Sequence, residues 1–468
     1  MTLAALVLIP ALGGLALILL PRDRSRLATA IALVSTGAAL ALSTWILLDL
    51  RLGDAGDSYR FALRVGWIPS LGAELSLAVD GLRALLLFVT ALIGSGIALI
   101  GRGERAAGPL LLQASLSGGL ASLDLLLLTV FWTLALLAVG LMLPRRGSAE
   151  ATVAGRWIAV ALVSGTMLAA GAVLTGTRAG TYDLAILAAG ETFREVPGHG
   201  RLAFVLLLIG FSGPLVLVPR AGGRGENAPA TAAETLLLGA ATKLGALGIL
   251  GIALTVAPRA AADLALVPLI AGGTLLALSG ALATRTDDPD RLAGLSGGTL
   301  TGLVLLAAGA LAAGAGETVA LGAMAALVAH GLLAGAFGLT RLADDPFEES
   351  VDPGLAGTVV GFGLVLLPAF AALGGHPSSL LEAIRLRPVE TAVTVIGLGL
   401  VALAMVRAIL RARGSGPIVG ERGNGTRLHL AAVVAIALLF GLVPRILFPL
   451  LEDAAGRIVY VISTGAMP

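Results

Sequence analysis

The chain has no cysteine in 468 residues. Thiolate metal sites, iron–sulfur clusters and disulfides are therefore excluded from it. Aromatic residues make up only 4%, so the Trp and Tyr belts that mark membrane interfaces must be thin. Charged residues make up 13% and the net charge is +2, which leaves no strongly basic footprint for nucleic acid. Lysine is almost missing. Of the 31 basic residues, 30 are arginine and one is Lys243. A solvated charge can be either residue, but arginine stays charged at any accessible pH. Lysine can be driven toward its neutral form by burial. The lone lysine in "GAATKLGALGIL" (239–250) is thus either a proton-handling group or a side chain that snorkels to the interface.

What is abundant is apolar. The chain is 57% hydrophobic with a mean hydropathy of +0.97, and it carries 64 glycines. That composition defines a polytopic, all-α membrane protein, and its small residues suit close helix packing in lipid. Stretches of roughly 20 apolar residues fall at 3–20, 27–48, 82–101, 109–123, 124–143, 155–176, 202–219, 230–256, 263–284, 292–314, 317–340, 355–374, 391–410 and 429–450, about 14 spans in all. No charged segment precedes the first run and no cleavage site follows it, so 3–20 is read as a retained helix. Asp124 marks the turn between the fourth and fifth spans. The connections 49–81, 177–201 and 341–354 are too short for a folded redox domain, and the acidic run in 344–352 lacks the spacing of a calcium loop. Odd-numbered connections, counted with Arg156 and Arg407 at the adjoining span ends, hold 18 arginines, against 11 in the even-numbered ones and the C-terminal tail counted with Arg445. By the positive-inside rule both termini lie outside the cytoplasm.

Two spans contain breakers. The seventh reads "FVLLLIGFSGPLVLVP", with Pro214 inside. The twelfth reads "FGLVLLPAFAALGGHPSSLL", with Pro368 inside and His376 just beyond. Proline removes a helix hydrogen bond, so breaks are expected near both. They sit five spans apart, and paired broken helices point to inverted repeats. The division that follows is helices 1–3 (1–108), a first repeat of helices 4–8 (109–256), a second repeat of helices 9–13 (257–413), and helix 14 with the tail (414–468). Lys243 lies 14 residues into the 27-residue eighth span, where snorkelling is difficult. His330 is near the middle of the eleventh. Arg83, Arg407 and Arg411 read as anchors near span ends.

Five stretches occur in order: "WIPSLGAELSLAVDGL" (67–82), "SLDLLLLTVFWTLALL" (122–137), "NAPATAAETLLLGAATKLGALGIL" (227–250), "DRLAGLSGGTLTGLVLLAAGAL" (290–311) and "MAALVAHGLLAGAFGL" (324–339). Together they resemble the antiporter-like subunits of respiratory complex I, membrane-bound hydrogenases and Mrp-type cation/proton antiporters. The first stretch is most like subunit M of NADH-quinone oxidoreductase.

The resemblance implies a component of a redox-driven membrane arm that carries a proton path and has no catalytic centre or cofactor of its own. Its implied partners are other membrane-arm subunits and the lipid bilayer of the cell inner (plasma) membrane; nucleic acid is not among them. Lys243 matches the family's helix 8 lysine, His330 its helix 11 histidine, and Asp124 an acidic residue at the start of helix 5. His376 falls where helix 12 ends the path. Three positions depart. Thr133 stands where the family has a glutamate, Pro214 where it has the lysine paired with that glutamate, and Leu300 where it has a histidine. Removing one partner of a buried ion pair is costly, whereas removing both is nearly neutral. Three readings therefore stand: a proton translocator within such an arm, a degenerate scaffold that no longer conducts, and an Mrp-type antiporter component.

Overall fold

A computed structural model describes residues 1–21, 23–53, 59–100, 106–142, 148–188, 192–193, 196–221, 235–286, 289–343, 392, 395–397, 399–404, 406–407 and 424–464. Its apolar runs fold as helices: α1 (Thr2–Leu19), α2 (Ser25–Leu52), α3 (Gly81–Ile100), α4 (Ala107–Ala121), α5 (Leu125–Met142), α6 (Ser148–Ala179), α7 (Pro197–Ala221), α8 (237–256), α9 (Leu266–Ala283), α10 (Pro289–Ala312) and α11 (Glu317–Ala343), with α12 (Asn424–Leu442) and α13 (Phe448–Thr464) at the C-terminal end. Among the described residues, nine helices are long and apolar enough to cross a membrane. The expected twelfth span, with Pro368, and His376 just beyond it lie outside the described residues, and so does part of the thirteenth.

The helices form layers of different burial. In the apolar stretches of α8 and α10, 94% and 100% of residues are buried, against 39% and 33% in α1 and α2. Thus α3, α8, α10 and α11 make the centre, while α1, α2, α6 and α9 expose leucine-rich outer faces. Lipid is as apolar as leucine, so close packing and polar contacts hold such a bundle together.

Three features depart from expectation. First, α7 runs unbroken through Pro214. Proline at 214 has no N–H to give the Gly210 carbonyl four residues back. That carbonyl instead accepts the Ser164 hydroxyl of α6 at 2.5 Å and the Trp132 indole N–H of α5 at 3.3 Å. The freed acceptor is satisfied by neighbours, so the helix continues. Second, the connection 49–81 contains an antiparallel hairpin, β1 (Arg60–Ile68) and β2 (Ala73–Val79), with Arg64 opposite Ser76. The segment between α4 and α5 is stitched to it, Leu123 N–H donating to the Ser76 carbonyl at 2.8 Å. Third, the last span stops at Leu442. Pro444 follows Val443, whose backbone has left the helical region, and begins a single 3-10 turn, because proline disfavours helix in the residue before it. The chain then enters α13, whose Leu451, Ala454, Ala455, Ile458 and Val461 are buried at helical spacing.

Candidate functional site

Lys243 sits on a short α-helical stretch of α8, Thr242–Gly248, between two π-helical segments, Leu237–Ala241 and Ile249–Ala253. Such π segments recur at functional sites because they shift the face a helix presents. Across from it, α11 approaches closely. A Cβ on Gly331 would meet the Gly239 carbonyl oxygen at 2.9 Å and the Lys243 Cε at 3.4 Å. The missing side chain lets the two backbones meet beside His330.

There the structure joins two of the residues singled out by sequence. Lys243 Nζ lies 2.8 Å from His330 Nδ1 and donates to Thr242 Oγ1 at 2.8 Å. His330 Nε2 lies 3.1 Å from Ser296 Oγ on α10, and that hydroxyl donates to the Ala293 carbonyl at 2.7 Å. Lys243, His330 and Ser296 are each 1% exposed. The bond directions follow from the inventory of donors. The Ser296 hydroxyl hydrogen is committed to Ala293, so Ser296 Oγ accepts from Nε2–H. His330 Nδ1 then holds the lone pair and accepts from the Lys243 ammonium. Two full positive charges at this separation would repel by about 6 kcal/mol even at an effective dielectric constant of 20. The pair can therefore hold at most one excess proton between its two nitrogens, which suits it to relaying protons singly.

Asp124 is not part of this chain. It caps α5, taking Leu127 N–H at 2.9 Å on one oxygen and Glu74 N–H at 2.8 Å on the other. Burial pushes its carboxyl above the usual carboxylate range, while these backbone N–H bonds pull the other way. Thr133 Oγ1 donates to the Thr129 carbonyl of its own helix at 2.8 Å. Leu300 is buried in α10 as an apolar packing residue. Arg83, read as an interfacial anchor, is instead buried and donates to the Leu120 and Ser122 carbonyls at 2.8 Å each. It thereby closes the C-terminal end of α4. Arg407 donates to the carbonyls of Thr284 and Thr286, just after α9. Sequence reasoning missed Thr242 and Ser296. The serine lies in the quoted "AGLSGGTL" stretch, but a hydroxyl in a small-residue helix carries no signal by itself.

No family model matches the chain. It is 24% identical to NADH-quinone oxidoreductase subunit M of Escherichia coli, over 98% of this chain and 97% of that protein. It is 29% identical to a probable K(+)/H(+) antiporter protein of Rhizobium meliloti, over 44% of this chain. The match spans only 21% of the length of that antiporter protein. Among solved structures, a chain of respiratory complex I from Thermus thermophilus superposes with a TM-score of 0.80 at 21% identity, covering 99% of this chain and 100% of that one. The protein is a multi-pass membrane protein, similar over nearly its whole length to subunit M of NADH-quinone oxidoreductase and sharing its fold with a membrane chain of respiratory complex I.

Proposed function

We propose that the chain is a membrane-arm subunit of a complex I-type redox assembly, and that Lys243, His330 and Ser296 form a segment of its proton path. One observation carries this reading: the lone lysine of the sequence lies 2.8 Å from a histidine nitrogen at the centre of the bundle. Ionisable groups so placed are functional by default in a membrane protein. The subunit works beside other membrane-arm subunits in an inner (plasma) membrane, with both termini outside the cytoplasm. The driving redox chemistry belongs to its partners in this reading. Its protein-derived contribution is to hold a proton between Lys243 Nζ and His330 Nδ1 and pass it toward Ser296.

The test is the proton-to-electron stoichiometry of the reconstituted assembly. Lys243→Met removes the charge at similar volume, and Lys243→Arg fixes it. Both should lower the stoichiometry while the subunit remains assembled. A second reading is favoured by the neutral residues Thr133 and Pro214, which stand where the family resemblance places an ion pair: the chain is a scaffold that completes the arm without conducting. Unchanged stoichiometry in Lys243→Met would select the scaffold. Removal of a buried charge should then leave stability equal or higher.

A further inference from the structure

A cavity of about 30 Å3 lies on the side of the bundle that carries the β-hairpin, between the start of α3, the end of α8, the start of α11 and α13. That is room for about two waters. Its rim is polar. Asp80 caps α3 through Arg83 N–H at 2.9 Å and pairs with Arg457 of α13, Nη2 to Oδ2, at 2.6 Å. The Arg457 guanidinium also stacks 4.7 Å over the Tyr59 ring. Its Nη1 is buried and has no hydrogen-bond acceptor among the described residues. A buried guanidinium N–H without an acceptor is costly, so water in the cavity is its natural partner. Thr255, whose hydroxyl donates to the Gly251 carbonyl at 2.8 Å, offers a second polar atom along the wall.

The inner wall lies near the Lys243–His330 pair. Leu247 lines the cavity and lies one α-helical turn from Lys243, about 6 Å along the axis. Met324 lines it from α11, six residues before His330, about 9 Å along that axis. Both side chains are apolar, and methionine is an adaptable filler.

We propose that this cavity is the water pocket through which the Lys243–His330 pair exchanges protons with the hairpin face, with the Asp80–Arg457 ion pair at its mouth. The inference rests on the reading of that pair as proton-carrying. A hydronium entering the pocket leaves its extra proton on the pair and remains as water, and release runs in reverse. Leu247 and Met324 form the dry stretch that water must cross.

The absence of native cysteine makes the pocket testable by single-cysteine substitution in membranes that hold the whole assembly. Sulfonatoethyl methanethiosulfonate is an impermeant anion that reacts with thiolate, and thiolate forms only where water reaches. Thr255→Cys and Leu247→Cys should react from the same face as Ser70→Cys on the hairpin. Both should react at least about tenfold faster than Leu8→Cys on the outer face of α1. Adding Arg457→Gln to Leu247→Cys should speed its labelling. If Thr255→Cys reacts but Leu247→Cys is as slow as Leu8→Cys, the pocket is a dead end and the proposal fails. It fails equally if neither reacts, or if Leu247→Cys reacts from the opposite face. Loss of stoichiometry in Lys243→Met with an unreactive Leu247→Cys would keep the proton-path reading and remove this route. A reactive Leu247→Cys with unchanged stoichiometry in Lys243→Met would keep the pocket and remove its role in proton exchange.

Discussion

Two polar nodes lie inside the helix bundle and solve different problems. In one, α5, α6 and α7 meet where the Gly210 carbonyl accepts from Ser164 and Trp132. Every group there is neutral, and each bond answers the loss of one helix N–H at Pro214. In the other, α8, α10 and α11 meet where Lys243, His330 and Ser296 form a chain. Two of its members can change charge, and its glycine crossing holds them at hydrogen-bond distance. The nodes are neighbours: Phe211 of α7 packs edge-on to Trp132 at 6.1 Å, and its ring would collide with a Cβ at Gly248 of α8. The first node fastens helices where the family resemblance expects an ion pair; the second retains the titratable groups. If the chain conducts protons, the comparison places that work on the side of α8, α10 and α11.

The comparison breaks most severely if its neutral node is emptied. Trp132 is fully buried and supplies both a large apolar volume and an indole donor. Trp132→Ala should cost roughly 3–5 kcal/mol through cavity formation, read as a lower denaturation midpoint of the purified subunit in mixed detergent micelles. Trp132→Phe keeps most of the volume and should recover most of that loss. Equal losses for the two variants would mean that packing is not what Trp132 supplies.

The charged node is more easily disturbed through its crossing than through its polar atoms. Gly331→Ala places a methyl 2.9 Å from the Gly239 carbonyl, so α8 and α11 must separate. Overpacking of this kind costs about 1–3 kcal/mol. Because the shift falls beside His330, proton-to-electron stoichiometry should drop together with stability. Gly251→Ala, whose Cβ would meet only the Leu247 side-chain end at 3.6 Å, is the control and should leave stability near wild type. A tolerated Gly331→Ala with full stoichiometry would show that the crossing does not set the Lys243–His330 distance.

Much of this was legible in the sequence. Apolar run length located α1 to α11 with ends off by up to seven residues, because spanning length is dictated by the bilayer. Lys243 stood out by its rarity and His330 by its mid-span position, and the structure joins them. What could not be read were pairings that depend on three-dimensional neighbours. Pro214 reads as a break only until Ser164 and Trp132, 50 and 82 residues earlier, are known to reach the freed carbonyl. The π segments around Lys243 have no periodic signature in a run that is buried on all sides. Asp124 looks the same in sequence whether it caps a helix or carries a proton. By contrast, α13 was there to be found: apolar residues at 451, 454, 455, 458 and 461 give a helical stripe, but the preceding span and Pro444 drew the boundary in the wrong place.

The smallest expected effect sharpens the comparison most, because it asks whether the neutral node exists on account of the proline. In the native chain, Ser164→Ala removes the shorter of the two donors to the Gly210 carbonyl and leaves only the 3.3 Å indole contact. Hydrogen bonds between membrane helices are modest, so the loss should be roughly 0.6–1.7 kcal/mol. Pro214→Ala restores a backbone N–H in register with that carbonyl, and α7 can then close its own ladder. In that background Ser164→Ala should cost clearly less, giving a coupling of about 0.5 kcal/mol or more between residues on different helices. The measurement is a double-mutant cycle of unfolding free energies in mixed micelles. Strict additivity would mean that Gly210 gains nothing from a returned N–H, and the account of why α7 passes unbroken through Pro214 would have to be abandoned.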